Sequence, residues 1–303
     1  MDYYTFTDKL LERLSNELGS NYHIHLEEIS QNNSTAEKGF LVQKEGEPIS
    51  STYSLGKYYN DYLAGQTMEN IIENILTEHD RFEQLLSFPT PKELSDYSRI
   101  KDRLYLRLIN RQWNKKYLKD KMYLPFLDLA AVFCMDMRDL SGTELLAEQT
   151  GVAVLTEQFR QWDVSTFTVL VDAIHNMEKN GDFVLQKLDE QVSDAKIGTD
   201  SKENLSEPEM WLIRDATEQY LNAAALLFPA LLENAAKVFR KSFYIIPASV
   251  HELLLLPDGE GLKPKELKQM LEKTNHSLTV KEEWLSDSIY HYDAEMKKLS
   301  IAV

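Results

Sequence analysis

The hydrophobic positions of this chain change their period several times, which indicates a protein that mixes helices and strands. Residues 5–18 and 67–85 place apolar side chains at the three- and four-residue spacing of one helical face. Residues 22–29 alternate apolar and polar positions instead, and two further short segments follow at 39–44 and 49–53. Because turn residues separate the last two runs, the pattern predicts an antiparallel meander beside the helices.

The middle of the chain contains the cleanest alternation. In residues 103–109 three leucines alternate with Arg103, Tyr105 and Arg107. This pattern predicts a strand with one apolar face and one solvated face. Residues 122–137 are largely apolar, so we expect a more buried strand there.

The last quarter of the chain predicts one compact α+β unit. Residues 242–247 and 251–257 are apolar runs with a sharp step between them, and we expect both to be central strands. A turn at 258–261 leads into a helix from Pro264, which we expect to pack through Leu267, Met270 and Leu271. Two short strands near 290–293 and 299–301 complete the unit.

A polar stretch divides the pattern. Residues 191–208 are rich in turn-forming side chains and contain no aromatic residue, which is typical of a linker or a long surface loop. The sequence therefore predicts an α+β fold with mixed or antiparallel sheets and packed helices in two lobes, residues 1–190 and 209–303.

Composition and charge narrow the class of protein. Hydrophobic residues make up 43% of the chain, enough for a sizeable core, and the single cysteine, Cys134, forms no internal disulfide. The net charge of −16 disfavours nucleic acid and anionic membranes as partners. The N-terminal residues lack the basic and apolar regions of an export signal, and the longest apolar run, 221–232, is too short to cross a bilayer. We therefore expect a cytoplasmic protein that does not enter membranes.

Ser249, His251 and Glu252 are the candidate catalytic residues. A serine beside a base that a carboxylate orients is the general pattern of an activated nucleophile. In an extended segment, however, Ser249 and His251 share one face while Glu252 points to the other, so a third member has to come from elsewhere. The alternative is that Ser249 makes a turn or cap bond and that His251 sits at a strand entrance.

Candidates for binding metals are weaker. His23 and His25 lie on the same face of a predicted strand, but a closed site needs three or four ligands. The sequence contains neither a second cysteine nor a glycine-rich phosphate loop, so we expect no metal and no cofactor. The tyrosines at 3, 4, 58, 59 and 62 have helical or near-terminal spacing, which favours the core or an interface over a cofactor site.

Positive charge is concentrated between residues 99 and 121. The candidates for an anion or nucleic-acid surface are Arg103, Arg107, Arg111, Lys115 and Lys116. With aromatic residues between them they resemble a surface for single-stranded nucleic acid. The alternative, which the overall charge favours, is that these cations pair with acidic groups of this chain or of a second subunit.

The C-terminal unit also carries a resemblance. Its segments 243–257, 267–275, 282–287 and 290–293 resemble an uncharacterised bacterial family from gut-dwelling Gram-positive bacteria, domain-of-unknown-function family 5688. Weaker likenesses lie at 107–110, 128–132, 211–213 and 222–225. The resemblance implies a fold and a compartment but no activity. The chain departs from the family pattern at Ala248, where a serine is usual, and at Arg214 and Asp215, where an asparagine is usual.

The sequence supports three hypotheses for the function. The first is a non-catalytic interaction or regulatory protein that acts on protein partners of unknown identity. The second is a hydrolase-like enzyme centred on Ser249 and His251, which requires a concave pocket and a third polar group. The third is a protein associated with nucleic acid, through the basic segment or as an acidic mimic of DNA.

Overall fold

The computed structural model describes residues 1–29, 32–33, 37–46, 50–85, 91–137, 151–188, 209–217, 220, 222–259, 262–277 and 281–303. These residues form helices and three antiparallel sheets of three, six and four strands. The predicted α+β class is confirmed. No helix in these ranges combines the length and the apolar character that a membrane crossing requires.

The N-terminal unit has its own sheet and its own core. It consists of α1 (Tyr3–Leu18), β1 (Tyr22–Ile29), β2 (Glu37–Lys44), β3 (Ser51–Ser54), α2 (Leu55–Leu63) and α3 (Met68–Leu85). The three strands form the predicted meander in the order β1-β2-β3. Asp2 caps the start of α1, because its carboxylate accepts the N–H of Thr5 at 3.0 Å. Gly19 follows the end of α1, and its φ of 82° suits a residue without a Cβ. Its core includes Phe6 and Phe40, both fully buried.

A chain of polar contacts leads from the N-terminal core to the surface, from buried Tyr53 and His79 to partly exposed Glu83 and Lys44. The Nδ1 atom of His79 lies 3.1 Å from the hydroxyl of Tyr53, and its Nε2 atom lies 3.7 Å from Oε1 of Glu83. The other carboxylate oxygen of Glu83 accepts the hydroxyl of Tyr22 at 2.7 Å and contacts the ammonium group of Lys44 at 3.3 Å. The His79 side chain is only 3% exposed, so desolvation lowers its pKa below the usual 6.5.

The next part of the chain, from Pro91 to Asn180, contains the four-stranded sheet. Its elements are α4 (Pro91–Leu94), α5 (Tyr97–Ile100), β4 (Leu104–Asn110), β5 (Tyr123–Phe126), β6 (Leu129–Asp136), β7 (Gly151–Ala153), α6 (Thr156–Gln161) and α7 (Thr166–Asn180). Strand β6 pairs with β4 on one side and with β5 and β7 on the other. Every residue of β6 is buried, as expected for residues 122–137.

The prediction of a solvated face on residues 103–109 is wrong. Within β4 only Arg107 is not fully buried, and Tyr105 is 3% exposed. The ring of Tyr220 lies 5.6 Å from that of Tyr105 and covers this face. Helix α7 covers part of the free edge of β4, where the N–H of Leu106 donates to Sδ of Met177 at 3.2 Å.

The part of the chain from Phe183 onward contains the six-stranded sheet. Its elements are β8 (Phe183–Lys187), β9 (Trp211–Asp215), α8 (Pro229–Phe239), β10 (Phe243–Ser249), β11 (Glu252–Pro257), α9 (Pro264–Ser277), β12 (Tyr290–Asp293) and β13 (Lys298–Ile301). The strand order is β13-β12-β10-β11-β9-β8, so β10 and β11 are central as predicted. Helix α9 packs on one face through Leu267 and Leu271, whereas Met270 is only partly buried.

The predicted linker, residues 191–208, lies outside the described residues, and the division into lobes there stays a prediction. The described residues on its two sides share one sheet, because β8 pairs with β9. They also share the largest hydrophobic core, which takes buried side chains from Ile100 to Tyr292. We call the described structure from residue 91 onward the body.

Three asparagines join the N-terminal unit to the body. The backbone N–H of Asn33 donates to Oδ1 of Asn114, and Nδ2 of Asn114 donates to Oδ1 of Asn33, both at 2.8 Å. Asn114 Nδ2 also lies 3.0 Å from Oδ1 of Asn32. The Asn33 amide donates to the carbonyls of Lys281, at 3.0 Å, and Trp284. We call Asn32, Asn33 and Asn114 the asparagine joint.

Candidate functional site

The catalytic candidates lie together in the tight connection between β10 and β11. The strand register shifts between Pro247 and Ser249, and Ser249 then faces Glu252 across the pair. The hydroxyl of Ser249, which is 7% exposed, accepts the backbone N–H of His251 at 3.0 Å. The structure thus places the hydroxyl in a turn bond, which is the alternative that the sequence left open.

His251 and Glu252 both have exposed side chains at this turn. The carbonyl of His251 accepts a hydrogen bond from the side chain of Asn222. Desolvation raises the pKa of the Glu252 carboxyl, because protein atoms exclude water from part of its surroundings even though the side chain reaches the surface. Catalysis by these residues stays a prediction.

The histidine pair lies on the exposed outer face of β1. The ring centroids of His23 and His25 are 6.4 Å apart. Within the described parts of the chain, no group of three or more His, Cys, Asp or Glu side chains is placed to hold a metal ion. These two histidines therefore gain no third ligand among the described side chains.

The basic candidates differ in their surroundings. Arg103 donates to the carbonyl of Asp136 at 3.2 Å, and Arg107 donates to the hydroxyl of Tyr117 at 3.0 Å. Both guanidinium groups are thus bonded within the body. Lys115 is exposed and Arg111 is partly buried.

Lys116 makes a contact of the predicted kind with an acidic group of the same chain. Its ammonium group lies 2.9 Å from the carboxylate of Glu28, and both side chains are 70% exposed. The pairing of basic residues with acidic groups of the same chain is therefore right for Lys116. Because both groups are solvated, this ion pair is weak.

A cluster of aromatic side chains on the N-terminal unit forms a surface, which we call the tyrosine surface. Its members come from the start of α1 and from the outer side of α2, and they are Met1, Tyr3, Tyr4, Tyr59, Tyr62 and Leu63. The ring of Tyr3 lies 5.9 Å from that of Tyr4 and 5.1 Å from that of Tyr59, both edge to face. Tyr59 and Tyr62 stack at 6.5 Å. These geometries are the ones that aromatic pairs prefer.

Hydrogen bonds of Met1 connect the start of α1 to α2. The hydroxyl of Tyr59 donates to the carbonyl of Met1 at 3.3 Å, and the N-terminal ammonium group donates to the hydroxyl of Tyr62 at 3.5 Å. Behind them, the buried ring of Phe6 lies 5.3 Å from the rings of both tyrosines. The surface therefore rests on the core of the unit.

Apolar groups of this surface reach solvent. Tyr4 is 70% exposed, Leu63 is 63% exposed and Met1 is 43% exposed. The ammonium group of Lys38 lies 5.1 Å from the ring centre of Tyr4. Desolvation, the largest effect, raises the pKa of Tyr3.

The sequence indicated this surface only in part. The helical spacing favoured the core or an interface for all five tyrosines without separating the two. In the structure Tyr58 is a core residue, 4% exposed, while Tyr59 and Tyr62 lie on the outer side of the same helix. The meeting of α2 with the start of α1 is a long-range contact, and no local pattern announces it.

Comparison with known proteins places the chain in a family. A family model described as a family of unknown function, DUF5688, matches residues 3–294, which is nearly the whole chain. No curated protein and no solved structure matches it. The chain belongs to DUF5688, and the resemblance found in the sequence is confirmed.

Proposed function

We propose that this member of DUF5688 is a cytoplasmic, non-catalytic interaction protein, and that its tyrosine surface binds a basic partner protein. The observation that carries the proposal is the exposure of Tyr4, Leu63 and Met1 beside the interlocked rings of Tyr3 and Tyr59. Tyrosine is enriched at the centres of protein interfaces, and methionine is enriched there as well.

The rigidity of the surface supports a role in binding. Each half-buried ring contacts a neighbouring ring, and Phe6 supports Tyr59 and Tyr62 from the core. Side chains that are already fixed lose little conformational entropy when a partner covers them. The tyrosine surface is therefore suited to recognition without a large rearrangement.

The charge of the N-terminal unit supports a basic partner. Residues 1–85 contain fifteen acidic and six basic residues, a net charge of −9 out of −16 for the whole chain. A partner whose apolar centre is surrounded by lysine and arginine would complement both the rings and this field. Such complementarity mainly increases the rate of association and its specificity.

The non-catalytic part of the proposal is supported by the use made of Ser249. Its hydroxyl accepts a backbone N–H within the turn, which is a structural use of a serine in this sequence context. The cytoplasmic part is supported by the only cysteine, Cys134, which is fully buried as a free thiol.

Site-specific photo-crosslinking of the full chain tests the proposal. A benzophenone side chain replaces Tyr4 in one variant and Phe167 of α7 in the control, because these residues are 70% and 73% exposed. We expect the Tyr4 variant to form a discrete adduct with a protein of high isoelectric point in extracts of the source cells. The adduct should be lost in Leu63→Glu and should decrease as salt rises.

Three results would overturn the proposal. They are the same adducts from both positions, an adduct that persists unchanged in Leu63→Glu, and a Tyr4 adduct made of two copies of this chain. The last result would identify the tyrosine surface as a contact for self-association. Circular dichroism of Leu63→Glu guards against a folding defect, since Leu63 is already 63% exposed.

A further inference from the structure

A cleft of about 600 Å³ lies where the N-terminal unit meets the body. Ser50 and Thr52 line it from the N-terminal unit, and Tyr117, Lys121 and Gln158 line it from the body. Its volume is within the range of about 300–1,000 Å³ that is usual for small-molecule sites. This junction cleft lies apart from the tyrosine surface and from the turn that holds Ser249.

Two cations contact Tyr117, which lines one wall of the junction cleft. The guanidinium group of Arg107 donates to the hydroxyl of Tyr117 at 3.0 Å, and the ammonium group of Lys121 lies 5.4 Å from the centre of the Tyr117 ring. Burial raises the pKa of Tyr117, although the Arg107 charge partly offsets this effect. The phenol is therefore a neutral, fixed hydrogen-bonding group in the wall.

The other polar side chains among the described lining residues of the junction cleft are uncharged. They are the hydroxyls of Ser50 and Thr52 and the amides of Gln158 and Gln161. Among the described lining residues there is no Asp or Glu, although the chain has 49 acidic residues against 33 lysines and arginines. The remaining lining is largely apolar and includes Met135.

The present partner of Lys121 is at the surface. Its ammonium group lies 2.8 Å from the carboxylate of Asp120, which is 66% exposed, whereas the Lys121 side chain is 19% exposed. A solvated carboxylate holds a cation weakly, while a carboxylate enclosed in the cleft would be held more firmly. Lys121 is thus placed to exchange a surface anion for an enclosed one.

We propose that the junction cleft binds a small organic monocarboxylate with an apolar body. The carboxylate contacts Lys121, with hydrogen bonds from the amide or hydroxyl groups of the wall, and the apolar body lies against the methionine and the aliphatic side chains. Lys121 is the one cation among the described lining residues, and it matches one negative charge better than the two charges of a phosphate ester. Arg107 acts as a positioning residue that fixes Tyr117.

Calorimetric titration of the full chain tests this inference with 3-phenylpropanoate and octanoate as probes. The neutral amides of both acids test the need for charge, and acetate tests the need for an apolar body. We expect both acids to bind, and the amides and acetate to bind at least about tenfold more weakly. Lys121→Met should lose about tenfold or more in affinity for the acids and little for the amides.

Lys119→Met is the matched control, because Lys119 is exposed on the same turn and does not line the junction cleft. It should bind as the unaltered chain does. Gln158→Glu offers a second variant, in which an added negative charge should repel the acids. The inference is overturned if neither acid binds at about 1 mM, if the amides bind equally well, or if Lys121→Met binds the acids as before.

Discussion

His79 shows how the surroundings of one residue set a response to pH. Desolvation is the largest effect on its pKa and lowers it below 6.5, while the charges of Glu83 and Asp80 oppose the shift and that of Lys44 adds to it. In the unfolded chain His79 binds a proton more readily than in the folded one. Its contribution to stability is therefore complete above the unfolded pKa of 6.5 and is lost as the pH falls below that value through the lower pKa of the folded state.

We predict that His79→Gln reduces the acid sensitivity of the fold. The free energy of unfolding of the unaltered chain should decrease between about pH 7.5 and about pH 5.5, and the decrease should be smaller in the variant. Urea unfolding at the two pH values measures this difference. His175→Gln, on the exposed side of α7, is the control. Equal pH dependence in all three proteins would contradict the prediction.

Ser249 allows a test that separates structure from catalysis. Ser249→Ala removes the acceptor for the N–H of His251, and we expect a loss of about 0.5–1.5 kcal/mol in the free energy of unfolding. Thermal and urea unfolding measure it. If the variant keeps full stability, the turn bond contributes nothing, and the hydrolase hypothesis for Ser249 becomes worth testing with ester substrates.

At the scale of elements, β10 and β11 lie at the centre of the six-stranded sheet. Hydrophobic side chains pack against both faces of this sheet. Ile245 is fully buried in the large core, while Leu254 on the neighbouring strand packs against the residues under α9. We predict that Ile245→Ala costs about 2–5 kcal/mol, because a buried aliphatic side chain leaves a cavity. Ile245→Asp, which buries a lone carboxylate, should prevent folding of this sheet.

Urea unfolding of Ile245→Ala measures the first effect, and circular dichroism with size exclusion chromatography detects the second. Lys298→Asp is the control, since Lys298 is exposed on the edge strand β13. Wild-type-like unfolding of Ile245→Asp would contradict the assignment of β10 as a buried central strand.

The sequence predicted elements well where periodicity matched burial. The strands of the meander β1–β3 and the strands β10 and β11 form where the sequence predicts them. The prediction from sequence was wrong at β4, where leucines that alternate with Arg103 and Arg107 indicated a solvent-exposed face. A pattern with a period of two cannot distinguish water from an internal acceptor such as the carbonyl of Asp136 or the hydroxyl of Tyr117.

At the scale of the whole molecule, pairing between distant segments sets the organisation. The polar composition of residues 191–208 predicted a boundary, yet β8 and β9 on its two sides share a sheet. The sequence did not predict the asparagine joint or the junction cleft either. Both depend on which segments meet, and single asparagines or glutamines carry no local signal of such meetings.

We predict that Asn114→Ala loosens the N-terminal unit from the body. The change removes the acceptor for the N–H of Asn33 and the donor to its side chain, and both groups are buried. Leaving them unpaired should cost about 1–3 kcal/mol. Hydrogen exchange should become faster in residues 1–85 and stay unchanged in the centre of the six-stranded sheet.

Lys116→Ala is the matched control for this change. It removes the contact with Glu28 across the same junction, but both groups are 70% exposed. Exchange in residues 1–85 should therefore remain close to that of the unaltered chain. If Asn114→Ala behaves like Lys116→Ala, the asparagine joint does not hold the two parts together.

The asparagine joint has a consequence for an acidic molecule in media of changing composition. Its amides give and receive hydrogen bonds at once and carry no net charge, so dissolved ions have nothing to shield there. An interface made only of exposed ion pairs such as Lys116 with Glu28 would become weaker at high salt concentration. This one should hold its geometry from dilute buffer to high salt, even as the repulsion among the surrounding carboxylates rises and falls.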